Sequence, residues 1–219
     1  MRKLAVIGQG RLGRTVRSDH YDIVFVGRNE PIPQADIVVC AVPGHAFEEL
    51  KPELLKLTVP VIIASTGQTM DANPKSPWIY GRNFSLMVQA MRRAMTILGQ
   101  SLPDGITATM SETHQAAKKD APSGTALMLR EAMGTPDMEI ESLRIGEALP
   151  EHTVRVATPY EEVTIAHHVK NRDTYGQGII WLADRLTGGF RLAPGLHSFE
   201  DVFDAITGHQ DQAPARRAV

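Results

Sequence analysis

The chain has 219 residues, with 23 Lys and Arg against 25 Asp and Glu, a formal net charge of -2 and a single cysteine. That length can bury a core in one large domain or two small ones, and the balanced charge, without a dense basic run, excludes a nucleic-acid backbone as the main partner. The apolar runs are far too short to span a bilayer and one cysteine excludes an internal disulfide, so a cytoplasmic globular protein is expected, with no membrane partner.

The first run, "KLAVIG" (Lys3–Gly8), is cut below signal-segment length by Gly8 and Gly10 and predicts a strand. "RLGRTVRS" has helix-compatible spacing, and "YDIVFVG" predicts a second strand. "ADIVVCAVP" is a third strand that buries Cys40, "HAFEELKPELLKL" is a helix disturbed at Pro52, and "VPVIIAST" and "PWIYGRNF" are further strands. Strands that are apolar throughout, with helices between them, predict a parallel sheet covered on both faces. The pattern changes after Ser85. "LMVQAMRRAMTILGQSL" is a long amphipathic helix, "GITATMSETH" a strand and "TALMLREAM" a helix. "HTVRVAT" and "EEVTIAHHV" are antiparallel strands joined by "PYE", and "GQGIIWLADRL" is a last helix. The fold class is therefore α/β, a Rossmann-type parallel sheet followed by an α+β half. Met87, Met91 and Met95 recur at helical spacing, and Trp181 stands between Ile180 and Leu182; both groups predict packing positions.

"GQGRLG" (Gly8, Gln9, Gly10, Arg11, Leu12, Gly13) matches G-x-G-x-x-G directly after a strand. Glycines at those places turn the chain tightly and admit a pyrophosphate to the start of a helix, so the loop predicts dinucleotide binding. At the end of the second strand Arg28 suits a 2′-phosphate and favours NADPH, while Glu30 nearby leaves NADH open.

The segment "ETHQAAKKDAPSGTAL" places Glu112, His114, Lys118, Asp120, Pro122, Ser123, Gly124, Thr125 and Ala126 at the spacings of E-x-H-H-x-x-K-x-D-x-P-S-G-T-A. That is the signature of the 4-hydroxy-tetrahydrodipicolinate reductase family, which the chain resembles over nearly its whole length. "STG" (Ser65, Thr66, Gly67), "NFS" (Asn83, Phe84, Ser85), "EHTVRV", "AHHVKNR" to Arg172 and "PGLHSFEDVF" follow in the family's order. Gln115 stands where the family carries a second histidine, Ala64 replaces a loop glycine, and the chain reads as shortened between Gly134 and Glu151.

The resemblance implies an NAD(P)H-dependent reductase of a small cyclic imino dicarboxylate in lysine and diaminopimelate biosynthesis. A reductase of another cyclic imine and a non-catalytic dinucleotide sensor are the alternative readings. It implies that residues 1–85 and 174–219 form the dinucleotide domain and residues 86–173 the substrate and oligomerisation domain, in a homotetramer. Proton donation falls to His114, whose imidazole titrates near about 6.5 when free. Lys118, four residues on and on the same face of a helical turn, would hold a substrate carboxylate, favour the cationic imine's neighbour or assist the proton step. Gln115, Ser123, Gly124, Thr125, His167 and Arg172 would contact substrate, the Ser-Gly-Thr turn as a helix start that also caps itself. Ser65, Thr66, Gly67, Asn83 and Phe84 would line the nicotinamide side, and Asp120 would orient a lysine or cap the turn. His167 and His168 lie on opposite sides of a strand without a ligand partner at suitable spacing, so no metal is expected.

Overall fold

Runs of branched apolar residues build the first sheet. In the structure, a computed structural model that describes residues 1–65, 70–103 and 105–208, these runs are strands β1 (Arg2–Ile7), β2 (Tyr21–Val26), β3 (Ile37–Cys40), β4 (Val61–Ile63) and β5 (Pro77–Tyr80). A short strand near the C-terminus, β10 (Gly195–Ser198), completes a six-stranded sheet in the order β10-β5-β4-β3-β1-β2. Every pairing is parallel. Such a sheet needs cover on both faces, and its central strands are buried along their whole length from Leu4 to Ile7, Val38 to Cys40 and Val61 to Ile63.

Helix α1 (Gly44–Leu54) follows β3 and presses Phe47 and Leu54 onto Ala5, Val38, Cys40, Val61 and Ile63. Phe47 meets Trp78 edge-on at 6.3 Å between ring centroids. Pro52 cannot donate to the Glu48 carbonyl, and the helix stops soon after it. Near the C-terminus, helix α4 (Asp173–Thr187) brings Trp181 against Phe199 and Phe203 of helix α5 (Phe199–Ile206), which lies along β5 and β10.

The helix expected after the glycine loop is absent: only a 3-10 turn at Gly13–Thr15 forms. The reason is length. A six-residue strand runs about 20 Å, and a parallel return over that distance at 1.5 Å per residue would consume about 13 helical residues. Residues 8–20 provide no more than that and must also make two turns, so the return is built from turns and the single 3-10 turn. Between β2 and β3 there is likewise no helix.

The second sheet arises from alternating sequences. Strands β6 (Thr107–His114), β7 (Glu139–Arg144), β8 (Glu151–Ala157) and β9 (Glu162–His168) are ordered β7-β6-β8-β9. Strand β7 pairs parallel to β6, and the other neighbours are antiparallel. The segment that read as a shortened connection therefore contains a strand. Helices α2 (Leu86–Ser101) and α3 (Gly124–Met133) cover one face, where Met91, Met95, Leu129 and Met133 close on Met110, Val154 and Val156. Met87 departs from that stripe and is 63% exposed. The chain divides into two compact units, Met1–Gly81 with Ile179–Val219, and Arg82–Gly178, the boundary falling within α4.

Two loop glycines, Gly8 and Gly13, are fixed by space, and Gly10 is not. A Cβ at Gly13 would overlap the Gly8 carbonyl oxygen, which is backbone and cannot yield, whereas a Cβ at Gly10 would meet nothing within 4 Å. Gly13→Ala is expected to lose about 3 kcal/mol, a fall of roughly 6–12 °C in Tm, with Gly10→Ala nearly unchanged. Thermal melts of the two variants check the contrast, and equal melting would refute it.

Candidate active site

The glycine loop leaves β1 beside β3, where the strand order reverses, the position at which open parallel sheets bind ligands. Gly8 adopts φ 102° and packs against the Ala41 carbonyl, bringing the loop onto the end of β3. Arg14 Nε donates to the Gln9 carbonyl at 2.8 Å, and Thr15 bonds back to Leu12 through both backbone and hydroxyl. Gln9, Gly10 and Arg11 are exposed. Ser65 is buried after β4, its hydroxyl 3.5 Å from the Cys40 carbonyl; Thr66 and Gly67 lie outside the described residues. After β2, Arg28 points to solvent, and Glu30 folds back to accept the Gly27 amide at 2.7 Å. The space above Gly10 and the exposed guanidinium of Arg28 fit a dinucleotide, although the loop does not open an α-helix.

In the second unit a row of side chains crosses all four strands. Glu112 on β6 stands opposite Ser142 on β7 and His152 on β8, and His152 stands opposite His167 on β9. His114 and Arg144 form the next row of the same face. Period-two alternation puts this row in phase with Met110, Val154 and Val156, which buries it.

Glu112 is 1% exposed, and one of its oxygens, Oε1, accepts three hydrogen bonds at 2.9 Å, from the Ser123 amide, the Ser142 hydroxyl and the Arg144 guanidinium. Arg144 also reaches the Asp120 carbonyl. The other oxygen, Oε2, lies 3.3 Å from His114 Nε2 and 3.9 Å from His152 Nε2. Burial raises the cost of the charge, but His114, Ser123 and Arg144 outweigh it and hold the carboxyl well below the usual carboxylate range. His152, 1% exposed, is pushed the other way: burial first, then the neighbouring His114 and His167, lower it from 6.5 to about 3. Burial also lowers His167, whose ring lies 5.8 Å from that of His152. His168 faces away toward Glu151, 3.3 Å distant.

The signature segment leaves β6 at His114 in a tight turn, with the Lys118 amide bonded to the Gln115 carbonyl. His114 thus ends a strand, and the helical turn expected to align it with Lys118 is not formed. Lys118 Nζ instead grips both Asp120 oxygens, at 2.7 and 2.8 Å. Ser123 N-caps α3 by accepting from the Ala126 amide. Its own amide is spent on Glu112, so fewer donors than expected remain at that helix start. Thr125 accepts from Asn83 Nδ2 at 3.0 Å, and Asn83 accepts from the Ser85 amide and, through its carbonyl, from Gln89. Phe84 is buried. Gln115 and Arg172, far apart in sequence, meet through a 2.9 Å bond in which the guanidinium donates.

Glu112, His114 and His152 offer ligand-type atoms within 4.8 Å of one another, a cluster the sequence reading did not identify because no local spacing encodes it. A cross-strand register does. The usable signal was His152 in phase with Val154 and Val156.

A switch-point glycine loop on a parallel sheet, together with an α+β unit holding buried ionisable groups, defines a two-domain nicotinamide-dinucleotide oxidoreductase. A family model described as dihydrodipicolinate reductase, C-terminus, matches residues 84–203, more than half of the chain. The chain belongs to the dihydrodipicolinate reductase family.

It is 28% identical to a 4-hydroxy-tetrahydrodipicolinate reductase of Caldanaerobacter subterraneus over 211 residues, covering 82% of this chain and 81% of that one. A namesake from Stenotrophomonas maltophilia is 34% identical over 144 residues, 64% of this chain and 59% of its own. Among solved structures, a dipicolinate-bound dihydrodipicolinate reductase from Paenisporosarcina shares the fold with TM-score 0.70 and 17% identity, over 92% of this chain and 99% of that one. An aspartate dehydrogenase from Thermotoga maritima shares it more distantly, with TM-score 0.53 and 12% identity over 88% of this chain and all of that one.

Folded His152 takes a proton only near pH 3, and the unfolded chain takes it near 6.5. Between those values acid favours unfolding, so this residue's contribution is complete above pH 6.5 and declines by about 1.4 kcal/mol per unit below it. Denaturant unfolding of His152→Leu is expected to show a flatter pH dependence over that window than the wild type.

Proposed function

We propose that the chain reduces 4-hydroxy-tetrahydrodipicolinate to tetrahydrodipicolinate, in lysine and diaminopimelate biosynthesis, with His114 as proton donor. The observation that carries this reading is the buried ionised carboxylate of Glu112 against His114, inside the family's signature. Reduction of a carbon–carbon double bond conjugated to an imine adds a hydride to one carbon and a proton to its neighbour. A bound nicotinamide supplies the hydride; this chain's residues position the substrate and supply the proton.

His114 gives up the proton, and Lys118, drawn from Asp120, holds a substrate carboxylate or assists the transfer. Arg172 binds a carboxylate as a planar double donor, and Gln115 holds that guanidinium in place rather than standing in for the missing histidine charge. Thr125 and Gly124 add donors at the start of α3. Gly8–Gly13, Arg28, Ser65, Thr66, Gly67, Asn83 and Phe84 are the proposed cofactor contacts. Arg28, exposed at the end of β2, favours NADPH over NADH. A homotetramer in the cytoplasm completes the proposal.

The test follows nicotinamide absorbance with substrate generated enzymatically. His114→Gln and Lys118→Ala are expected to lower kcat about a hundredfold or more with NADPH binding intact. Wild-type turnover in either variant would remove that residue from the proposed machinery. Arg28→Asp is expected to narrow or reverse the preference for NADPH, read from the two cofactors' dissociation constants. Unchanged constants would place Arg28 outside the cofactor site.

A further inference from the structure

Two histidines face one carboxylate oxygen, and only one of them can take the proton that the reaction consumes. We propose that Glu112 is the positioning residue of the proton donor: its Oε2 holds His114 through Nε2, so that Nδ1 is the nitrogen that delivers the proton, and His152 stays neutral. The inference rests on the reading of His114 as donor given above and adds the atom and the partner.

The geometry decides between the two rings. Oε1 is occupied by Ser123, Ser142 and Arg144, which leaves Oε2 as the acceptor for an imidazole. His114 Nε2 is nearer to it, at 3.3 Å against 3.9 Å for His152 Nε2. Neither contact has regular hydrogen-bond geometry, and both His152 nitrogens are buried without a partner among the described residues. A protonated His152 would carry an unsatisfied charge in the interior, which burial and the adjacent rings oppose. Its ring meets His114 edge-on at 5.3 Å, so it walls one side of the donor and excludes water from it.

The charged or titratable groups around the pair are Arg144 on β7, His152 on β8, His167 on β9, and Lys118 and Asp120 on the loop after β6. Against the His114 ring, the negative charge at contact distance is that of Glu112. A carboxylate behind an imidazole fixes its tautomer and favours its cation, as in the hydrolase triads.

The tautomer can be read without any substrate, by long-range proton–nitrogen NMR of the wild-type protein labelled at histidine, with His114 assigned from the His114→Gln spectrum. Neutral His114 is expected with its proton on Nε2, and His152 is expected to remain neutral from about pH 5 to 8. A neutral His114 protonated on Nδ1, or a His152 that titrates in that range, would overturn the proposal.

Kinetics give the second arm. Glu112→Gln is expected to lower kcat on the order of a hundredfold and to move the alkaline limb of the kcat profile to lower pH, because an amide does not favour the imidazolium. Arg144→Met removes the positive charge on the other oxygen and is expected to move that limb to higher pH. A merely structural role for Glu112 would lower kcat in both variants and move the limb in neither, and that result would also overturn the proposal. Absent turnover with a correct wild-type tautomer would refute the assigned reaction and leave the positioning of His114 standing.

Discussion

One buried carboxylate organises the second unit. Removing a carboxylate from water is costly unless the protein replaces its solvation, and deleting one partner of a buried charge pair commonly costs about 3–5 kcal/mol. Glu112 draws that replacement from β7 through Ser142 and Arg144, and from the start of α3 through the Ser123 amide. The same contacts set the register of β6 against β7 and fix where α3 begins. The other oxygen, Oε2, lies within 3.3 Å of His114 and 3.9 Å of His152. Fold and chemistry thus converge on a single side chain, which explains how so polar a row can lie on the face that also carries Met110, Val154 and Val156.

The first unit solves a different problem with little material. Its sheet is parallel throughout, a topology that normally requires a helix between successive strands, yet the connections after β1 and β2 contain no α-helix. One face is closed by α1 through Phe47 and Leu54. The glycine loop retains its shape because Gly8 and Gly13 pack backbone on backbone, a constraint that does not depend on a following helix.

Legibility in the sequence followed the range of the interaction. Strands β1, β3 and β4 are uninterrupted apolar runs and can be read directly, as can the Ser123 cap of α3. Strand β7, "EIESLR", pairs half-exposed positions and has too few apolar residues to announce itself, and β10 is four half-buried residues at a sheet edge. The helix after the glycine loop was misread because local spacing says nothing about how far the chain must travel to begin β2. At the candidate site, the signature puts His114 and Lys118 forward by local spacing alone. The proximity of Glu112 and His152 is not legible in the same way, because strand register alone joins residues so distant in sequence. The link between Gln115 and Arg172 likewise has no trace in local sequence.

The absence of an α-helix after the glycine loop has a consequence for ionic strength. Where a long helix begins at such a loop, aligned peptide dipoles supply roughly half a positive charge to a bound pyrophosphate, fixed in the backbone and partly sheltered from salt. Here the 3-10 turn supplies little of that field, and exposed side chains such as Arg28 would have to supply it instead. Exposed side-chain charge is screened over a Debye length of about 8 Å at physiological salt. A dinucleotide held at this loop would therefore depend more on surface charge, and weaken with added salt more steeply, than one held at the start of a full helix.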